Sequence, residues 1–144
     1  MKQLNQQATK IFCHILEKLN GQPYLKLKSD GFMPLVIELL EENIQTDGDP
    51  SKTVSIAHYY EQNGDLMSDP EMVFIVMDKR AHKMDFANLF VYPQCYRQDS
   101  LGIYEESIQI INNEIASVKK IWQQGHCHFA AQWLRNISQQ GFLK

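Results

Sequence analysis

Cysteine is scarce in this sequence, and its three residues lie far apart. Cys13, Cys95 and Cys127 form no CxxC pair, so neither a disulfide framework nor a zinc motif is indicated. No apolar run reaches the roughly 18 residues that a membrane-spanning helix needs, and the N-terminus lacks a run of signal-peptide type. We therefore expect reduced thiols, no membrane segment and a cytoplasmic protein.

An excess of positive charge is also missing. The chain carries 14 Lys and Arg against 17 Asp and Glu, a formal net charge of −3. Proteins that bind nucleic acids by electrostatics usually carry the opposite sign. Basic residues do gather at 79–83 (KRAHK) and at Lys119-Lys120, where they suit either phosphate contacts or a solvated surface. Nucleic-acid binding is retained as a minor alternative.

Familiar catalytic motifs are absent. The sequence contains no glycine-rich phosphate loop, no GxSxG elbow and no HExxH helix. His126, Cys127 and His128 stand together, but alternate positions diverge on a helix and no closing pair of ligands accompanies them. The sequence therefore predicts no catalytic residue, no metal and no cofactor, and the prediction leans away from an enzyme.

The first half of the chain predicts one helix and then strands. From about residue 3 to 20, apolar residues recur at helical spacing, and Gly21 and Pro23 end the pattern. A period of two follows in YLKLK (24–28) and PLVIELLEE (34–42), for which a short helix is an alternative. Residues 43–52 read as a polar loop.

Three further strands are predicted after this loop. TVSIAHYYE (53–61) places Val54, Ile56, His58 and Tyr60 on one face. EMVFIVMD (71–78) is apolar on both faces, as is typical of a strand covered on each side. FANLFVYP (86–93) reads as a fifth strand that Pro93 ends.

The last third predicts two helices. Apolar residues from Tyr104 to Trp122 are spaced four, three, four, three and four, with Asp99 or Ser100 as cap and Gly125 as stop. A final helix ends near Gly141. With 144 residues, 44% of them hydrophobic, we expect a single ordered domain over residues 1–144. Its class is α+β, with about five mainly antiparallel strands packed by an N-terminal helix and two C-terminal helices.

The segment HYYEQNGDLMSDPEM (58–72) carries most of the candidate site. Asn63-Gly64-Asp65 and Asp69-Pro70 are turn signals, which together favour a broad loop whose side chains organise the backbone. Asp65, Asp69 and Glu71 also suit a hard cation, and His58 suits a general base, although a hydrogen-bonded structural histidine is the commoner arrangement.

Two motifs in this region are shared with a known group of proteins. One contains His58, Tyr59, QNGD (62–65) and DPEM (69–72); the other contains Gln98, Asp99, Gly102 and Tyr104. Through these motifs the sequence resembles a family of small bacterial domains of unknown function carried on conjugative and mobile elements and phages. The motifs span residues 58–106, and the resemblance implies a setting but no reaction.

These observations favour a non-enzymatic accessory or interaction module of a bacterial mobile element. A protein partner or self-association is expected, because exposed tyrosines are common anchors at interfaces. A metal-assisted hydrolase built on residues 58–72 is the alternative from another class. If the second motif packs beside the first, the candidate functional surface consists of His58, Tyr59, Asp65, Asp69, Glu71, Gln98 and Asp99.

Overall fold

The computed structural model describes residues 1–144 as two helices and one eight-stranded sheet. The sheet has the order β6-β5-β4-β3-β2-β8-β7, and β1 also pairs with β2. Every pairing is antiparallel except a single parallel contact between Gln45 and Glu114. The elements are α1 (Gln6–Leu19), β1 (Tyr24–Leu27), β2 (Leu35–Thr46), β3 (Asp49–Gln62), β4 (Asp65–Asp78), β5 (Leu89–Gln98), β6 (Ile103–Glu106), β7 (Ile108–Ile111), β8 (Glu114–Val118) and α2 (Lys120–Gln139).

The α+β class and the mainly antiparallel sheet are therefore confirmed, whereas the predicted counts of five strands and three helices are wrong. Neither helix is long and apolar enough to cross a membrane. The N-terminal helix is as predicted in type. Asn5 Oδ1 accepts the N–H of Ala8 at 2.8 Å at its start, and Asn20 ends it in the left-handed conformation with a φ of 50°.

Both helices contribute to a core on one face of the sheet. Phe12 of α1 meets Phe74 of β4 edge to face, with ring centroids 5.1 Å apart. Alternate residues of the central strands point to this side, as the period of two predicted. The fully buried members of the core include Phe12, Ile15, Leu35, Ile37, Ile56, Met72, Phe74, Leu134 and Ile137.

Two-residue turns join the three longest strands. Asp47-Gly48 connects β2 to β3 with φ values of 50° and 81°, and Asn63-Gly64 connects β3 to β4 with φ values of 54° and 85°. Positive φ at both positions matches the right-handed twist of paired strands, so the strands continue to the turn itself. The predictions of a polar loop at 43–52 and of a broad loop between the strands at 53–61 and 71–78 are therefore wrong, whereas the turn predicted at Asn63-Gly64 is confirmed.

The fifth strand does not end at Pro93. It continues to Gln98, because a β-bulge accommodates the proline, which has no N–H to donate. Pro93 pairs with Phe74 and Cys95 pairs with Val73, so Gln94 has no partner in β4. The Pro93 carbonyl instead accepts the Ser107 hydroxyl at 3.2 Å. The strand therefore continues past the proline, with a register shift at this position.

The helix predicted after residue 100 is wrong, since β6, β7 and β8 occupy residues 103–118. Asn112 and Asn113 have φ values of 53° and 61° and form the turn between β7 and β8. Branched side chains such as Ile108, Ile110 and Ile115 suit strands. The hairpin covers Ile75, Met77 and Tyr92 on the sheet face opposite the helices, which explains why residues 71–78 are apolar on both sides.

The C-terminal helix is one continuous element. Residues 120–139 run through Gly125, the predicted stop, because Gly125 does not adopt the left-handed conformation that ends helices. Gly141, with a φ of 89°, follows the end of α2, as the sequence indicated.

Candidate functional site

The central strands leave part of one sheet face without a covering helix. Strand register sets two rows of neighbouring side chains across this helix-free face, because directly paired residues point the same way. One row is Ser55, Val73, Cys95 and Glu106; the other is Ala57, Glu71, Arg97 and Tyr104. These rows bring two carboxylates, a thiol, a guanidinium and a phenol onto one continuous surface.

Glu71 is held by two hydroxyl groups. Tyr59 Oη and Ser55 Oγ each donate to Glu71 Oε2 at 3.0 Å. A register shift between Ala57 and Tyr59 accompanies this arrangement in β3. Burial and the Glu71 charge raise the pKa of Tyr59 above its ordinary value, so the phenol stays a neutral donor at physiological pH. Two donors to one oxygen fix the carboxylate in place.

Two depressions lie on either side of the Tyr59–Glu71 pair. The first depression, of about 510 Å³, lies between the sheet and the Asn112-Asn113 turn and includes Glu71 in its wall. The second depression, of about 500 Å³, runs along β1, β2 and β3 and includes Tyr59. The pair therefore connects two concave regions whose size is that of small-molecule sites.

Cys95 supplies no nucleophile to this face. Burial, with a further contribution from the charges of Glu71 and Glu106, raises the pKa of its thiol to about 12. The reactive form of cysteine is the thiolate, which is therefore almost unpopulated near neutral pH. The face offers hydrogen bonds and charge, and no activated side chain.

His58 lies on the other face, away from Tyr59. It is buried against Trp133 and Phe142, with ring centroids 5.9 and 5.6 Å away, and its Nδ1 is 3.1 Å from the Pro34 carbonyl oxygen. Consecutive residues of a strand point to opposite faces, which accounts for the separation. His58 is therefore a core residue bonded to the backbone, and the interpretation as a general base has no geometry to support it.

The two shared motifs meet at residues 68–69. Gln98 Nε2 donates to Asp69 Oδ1 at 2.9 Å, and Asp99 Oδ2 accepts the backbone N–H of Ser68 at 2.7 Å. Asp99 begins a short 3-10 turn (Asp99–Leu101) and caps no long helix, contrary to the sequence prediction. Hydrogen bonds from Arg97 and from the Ser68 amide lower the pKa of the Asp99 carboxyl.

The candidate surface is therefore divided among four places, one of which is the core position of His58. Tyr59 and Glu71 share the helix-free face, and Asp69, Gln98 and Asp99 join strand β4 to the 3-10 turn. Asp65 is exposed beside the Asn63-Gly64 turn. No three His, Cys, Asp or Glu side chains lie together in an arrangement that would hold a metal ion.

His126 takes part in an arrangement that resembles a hydrolytic triad. Its Nδ1 is 3.1 Å from Ser107 Oγ, and its Nε2 is 2.9 Å from Glu105 Oε1. Ser107 is only 1% exposed, and its hydroxyl lies 3.2 and 3.1 Å from the carbonyls of Pro93 and Gln94. No substrate reaches this hydroxyl, so the three residues fasten α2 to the strand junction.

The basic segment 79–83 carries little free positive charge. Lys79 Nζ lies 2.6 Å from Asp49 Oδ2, and Arg80 is paired with Asp78 at 2.8 Å. Arg80 also points a nitrogen at Cys13 Sγ, at 2.7 Å. These pairs explain how a run of cations occurs in a chain of negative net charge.

Sequence reasoning left Ser55, Cys95, Arg97, Tyr104 and Glu106 out of the candidate surface, although Tyr104 belongs to the second shared motif. Ser55, Cys95 and Arg97 each stand next to a buried apolar or aromatic residue in the strand, which is an ordinary pattern in a sheet, and Glu106 has only Glu105 and Ser107 beside it. Only the register across four strands shows that they are neighbours. The two signals that pointed here, Tyr59 and Glu71, stand 12 residues apart and meet because the Asn63-Gly64 turn pairs their strands.

Comparison with known proteins gives a family and no activity. No curated protein matches the chain, and no solved structure matches it. A family model with the description "Domain of unknown function (DUF6908)" matches residues 10–143. That range takes in both helices from Lys10 onward, every strand and the helix-free face, and the chain therefore belongs to this family of domains of unknown function.

Proposed function

We propose that this protein is a non-enzymatic interaction module of a bacterial mobile element, and that it binds its partner through the helix-free face. The observation that supports this proposal most directly is the Tyr59–Glu71 pair, which fixes a carboxylate between two depressions on an otherwise open sheet. The mobile-element setting is supported by the resemblance of the two shared motifs.

Exposed side chains at the margins of this face support a role in binding. Tyr104 beside the first depression is 60% exposed, and Tyr24 and Leu66 beside the second are 53% and 65% exposed. Tyrosine supplies a large contact area with a polar end and is enriched where proteins bind one another. A partner seated across both depressions would cover these three side chains.

The arrangement favours binding over hydrolysis. The carboxylates of Asp65, Asp69 and Glu71 are in different local structures, and His58 faces the core. Cys95 is held as a neutral thiol by burial, which raises its pKa. A general base and a nucleophile within hydrogen-bond reach of one another are the usual requirement of hydrolytic sites, and this face provides neither.

Site-specific photo-crosslinking in cells that carry the gene tests the proposal. A photoreactive residue at Tyr104 or Tyr24 is expected to give the same discrete adduct, identified by mass spectrometry. Gln132, an exposed residue of α2, is the matched control and is expected to give none. Adducts formed from Gln132 and from neither tyrosine position would contradict the proposal.

The hydrolase alternative has its own test. The melting temperature is measured with and without magnesium, manganese or calcium for the wild type and for the triple variant D65A/D69A/E71A. We expect no metal-dependent difference between the two proteins. A rise in the wild type that the triple variant loses would identify a cation site, because a ligand of the native state raises its stability, and the hydrolase would replace the interaction module.

A further inference from the structure

We infer that the outer surface of the two helices binds a nucleic acid through its phosphate backbone. The helical layer consists of residues 1–23 and 119–144, which hold α1, α2 and the segments beside them. It lies on the opposite side of the sheet from the helix-free face, so the inference goes beyond the proposed function and does not depend on it. Its basis is a segregation of charge between the two sides of the molecule.

The charges of the chain are divided unevenly. The helical layer contains seven Lys and Arg and one acidic residue, whereas residues 24–118 contain seven Lys and Arg and 16 Asp and Glu. The net charge of −3 therefore combines a layer of +6 with a remainder of −9. The seven cations of the layer are Lys2, Lys10, Lys18, Lys119, Lys120, Arg135 and Lys144.

These cations have no carboxylate partners. All seven are exposed, and none lies within 4.0 Å of an Asp or Glu side chain. The one acidic residue of the layer, Glu17, lies 4.0 Å from Lys83, which is outside the layer. Lys119 Nζ instead contacts an aromatic ring, 4.3 Å from the centroid of Trp122, and keeps its charge. The positive charge of the layer is therefore available to an anion from outside.

The two helices present this charge along one extended surface. The Lys2 N–H donates to Gln123 Oε1 at 2.8 Å near the start of α2, and Lys18 Nζ lies 3.4 Å from the Lys144 carbonyl oxygen beyond its end. The helices therefore run side by side in the same direction. Neither has an acidic residue in its first turn, so the positive ends of both dipoles are uncompensated at the shared end. The 20 residues of α2 span about 30 Å, close to one turn of a nucleic-acid duplex.

The uncharged side chains of the layer favour phosphate contacts over membrane contacts. Amide side chains contact phosphate oxygens together with Lys and Arg, whereas a membrane surface requires a row of exposed apolar side chains. Within α1 and α2, Ile121 and Trp122 are the only large hydrophobic residues that are exposed, and both belong to the first turn of α2. The exposed hydrogen-bonding residues of the two helices include Gln6, Gln7, His14, Gln124, His128, Gln132 and Gln139.

The acidic remainder of the chain does not cancel this attraction. A helix about 10 Å in diameter separates the outer surface of the layer from the sheet, and the Debye length at physiological ionic strength is about 8 Å. Carboxylates beyond the sheet therefore act only weakly on a phosphate at the outer surface. The cations of the layer touch that phosphate directly, so their attraction is the larger effect.

Fluorescence anisotropy with labelled oligonucleotides of about 20 nucleotides tests the inference at a length that exceeds α2. Duplex DNA, single-stranded DNA and single-stranded RNA of one sequence are the probes, and the tightest binder identifies the source of the phosphates. For a duplex we expect binding at 50 mM salt that weakens about 100-fold at 200 mM, the effect of about four phosphate contacts. Failure of all three probes to bind at 50 mM salt would overturn the inference.

Other polyanions distinguish a nucleic acid from a membrane or an acidic protein. Vesicles of phosphatidylglycerol and phosphatidylcholine present phosphates on a lipid surface, and polyglutamate presents carboxylates on a peptide chain. We expect neither to displace the bound oligonucleotide at an equal concentration of charge. Displacement by either one would overturn the inference, because the layer would then have no preference for nucleic acid.

Two double variants remove charge from the helical layer. K10Q/R135Q takes one cation from each helix, and K2Q/K120Q takes two cations from the shared end. Each variant is expected to weaken binding at least about tenfold at 50 mM salt and to reduce the slope of affinity against salt by about two. Unchanged binding in both variants would contradict the inference.

K26Q/K28Q is the matched control, since it makes the same change of charge outside the helical layer. Lys26 lies in β1 and Lys28 directly follows it, and both are exposed. We expect its affinity to stay within about twofold of wild type, because phosphate contacts depend on local cations. If the control weakened binding as much as K10Q/R135Q, the total charge of the protein would explain the effect and the inference would be wrong.

The two sides of the molecule give separate readouts in the crosslinking experiment. K10Q/R135Q is expected to lose nucleic-acid binding and to keep the protein adducts from Tyr24 and Tyr104. Gln132 belongs to the helical layer, and after nuclease treatment its position should still give no protein adduct. A nuclease-resistant protein adduct from Gln132 would overturn this inference, because the layer would then hold a protein.

Discussion

Asp99 accepts the backbone N–H of Ser68 at 2.7 Å, although 31 positions separate the two residues in the chain. The other oxygen of Asp99 accepts Arg97 Nε at 2.8 Å. One side chain thus ties the start of the 3-10 turn to strand β4 and also fixes the guanidinium that lines the first depression. Asp99 of the second motif is therefore held next to Asp69 of the first, and both of its carboxylate oxygens already accept hydrogen bonds from the protein.

Replacing Asp99 with alanine is expected to destabilise the protein by about 1–3 kcal/mol, because the buried Ser68 amide loses its acceptor. The measurement is the free energy of unfolding in urea. D65A is the control, since Asp65 is exposed beside a turn, and its expected cost is below about 0.5 kcal/mol. Equal stability of the two variants would mean that water satisfies the amide equally well.

The contribution of Asp99 should depend on pH. Its folded-state pKa is lowered by Arg97 and by the Ser68 amide, so folding favours the ionised form. The stabilisation is present above the unfolded pKa of about 3.9 and is lost as the pH falls through the folded value. We expect the difference in unfolding free energy between wild type and D99A to shrink below about pH 4. A constant difference down to acid pH would contradict the assignment.

Tyr59 should respond in the opposite direction. Its folded-state pKa is raised by burial and by Glu71, so the stabilisation is complete below the unfolded pKa of about 10 and is lost as the pH rises further. The difference in unfolding free energy between wild type and Y59F is expected to shrink as the pH is raised above about 10. In a spectrophotometric pH titration, the absorbance change of the tyrosines that ionise near pH 10 is expected to be the same in Y59F as in wild type, because Tyr59 ionises only at a higher pH.

Two glycines should respond to alanine with opposite signs. Gly64 has a φ of +85°, so G64A is expected to cost about 1 kcal/mol or more. Gly125 lies inside α2 without a positive φ and with no atom within 4 Å of an added Cβ, so G125A should stabilise by about 0.5–1 kcal/mol. Thermal melting of both variants checks this pair, and destabilisation of G125A would contradict the helical assignment at residue 125.

The turn between β7 and β8 offers a stabilising change. Asn113 has a φ of 61°, where glycine is favoured, and Asn-Gly is the preferred pair for this type of turn. N113G is expected to stabilise the protein by a few tenths of a kcal/mol, although the flexibility of glycine in the unfolded chain offsets part of the gain. N113A is the control, with a loss expected because alanine does not readily adopt positive φ.

The alternation of apolar residues correctly predicted the central strands, because burial on one face imposes a period of two. The same reasoning failed at residues 104–118, where Ile108, Ile111 and Ile115 also fit helical spacing. Their branched side chains and the Asn112-Asn113 pair were the contrary signals. Spacing alone was insufficient because a short hairpin with a register shift places apolar residues at irregular intervals.

The candidate site was predictable only in part. Tyr59 and Glu71 stood in a segment rich in polar residues, and their contact depends on the turn at Asn63-Gly64. Arg97 and Glu106 gave no signal, since their relation to Glu71 depends on strand register and on the bulge at Gln94. Register is a property of long-range pairing, and a single sequence carries little information about it.

The two-residue turns on either side of β3 have a consequence for how the chain reaches its native state. Strands β2, β3 and β4 pair with their nearest neighbours in sequence, so little loop entropy opposes their association, and local pairing of this kind forms early. Helix α1 packs against α2, and nearly the whole sheet lies between them along the chain. The meander should therefore be the nucleus, and the part of α1 that packs against α2 should remain exposed until the C-terminal helix has been made. A nascent chain that stops before α2 would be the form most prone to aggregation.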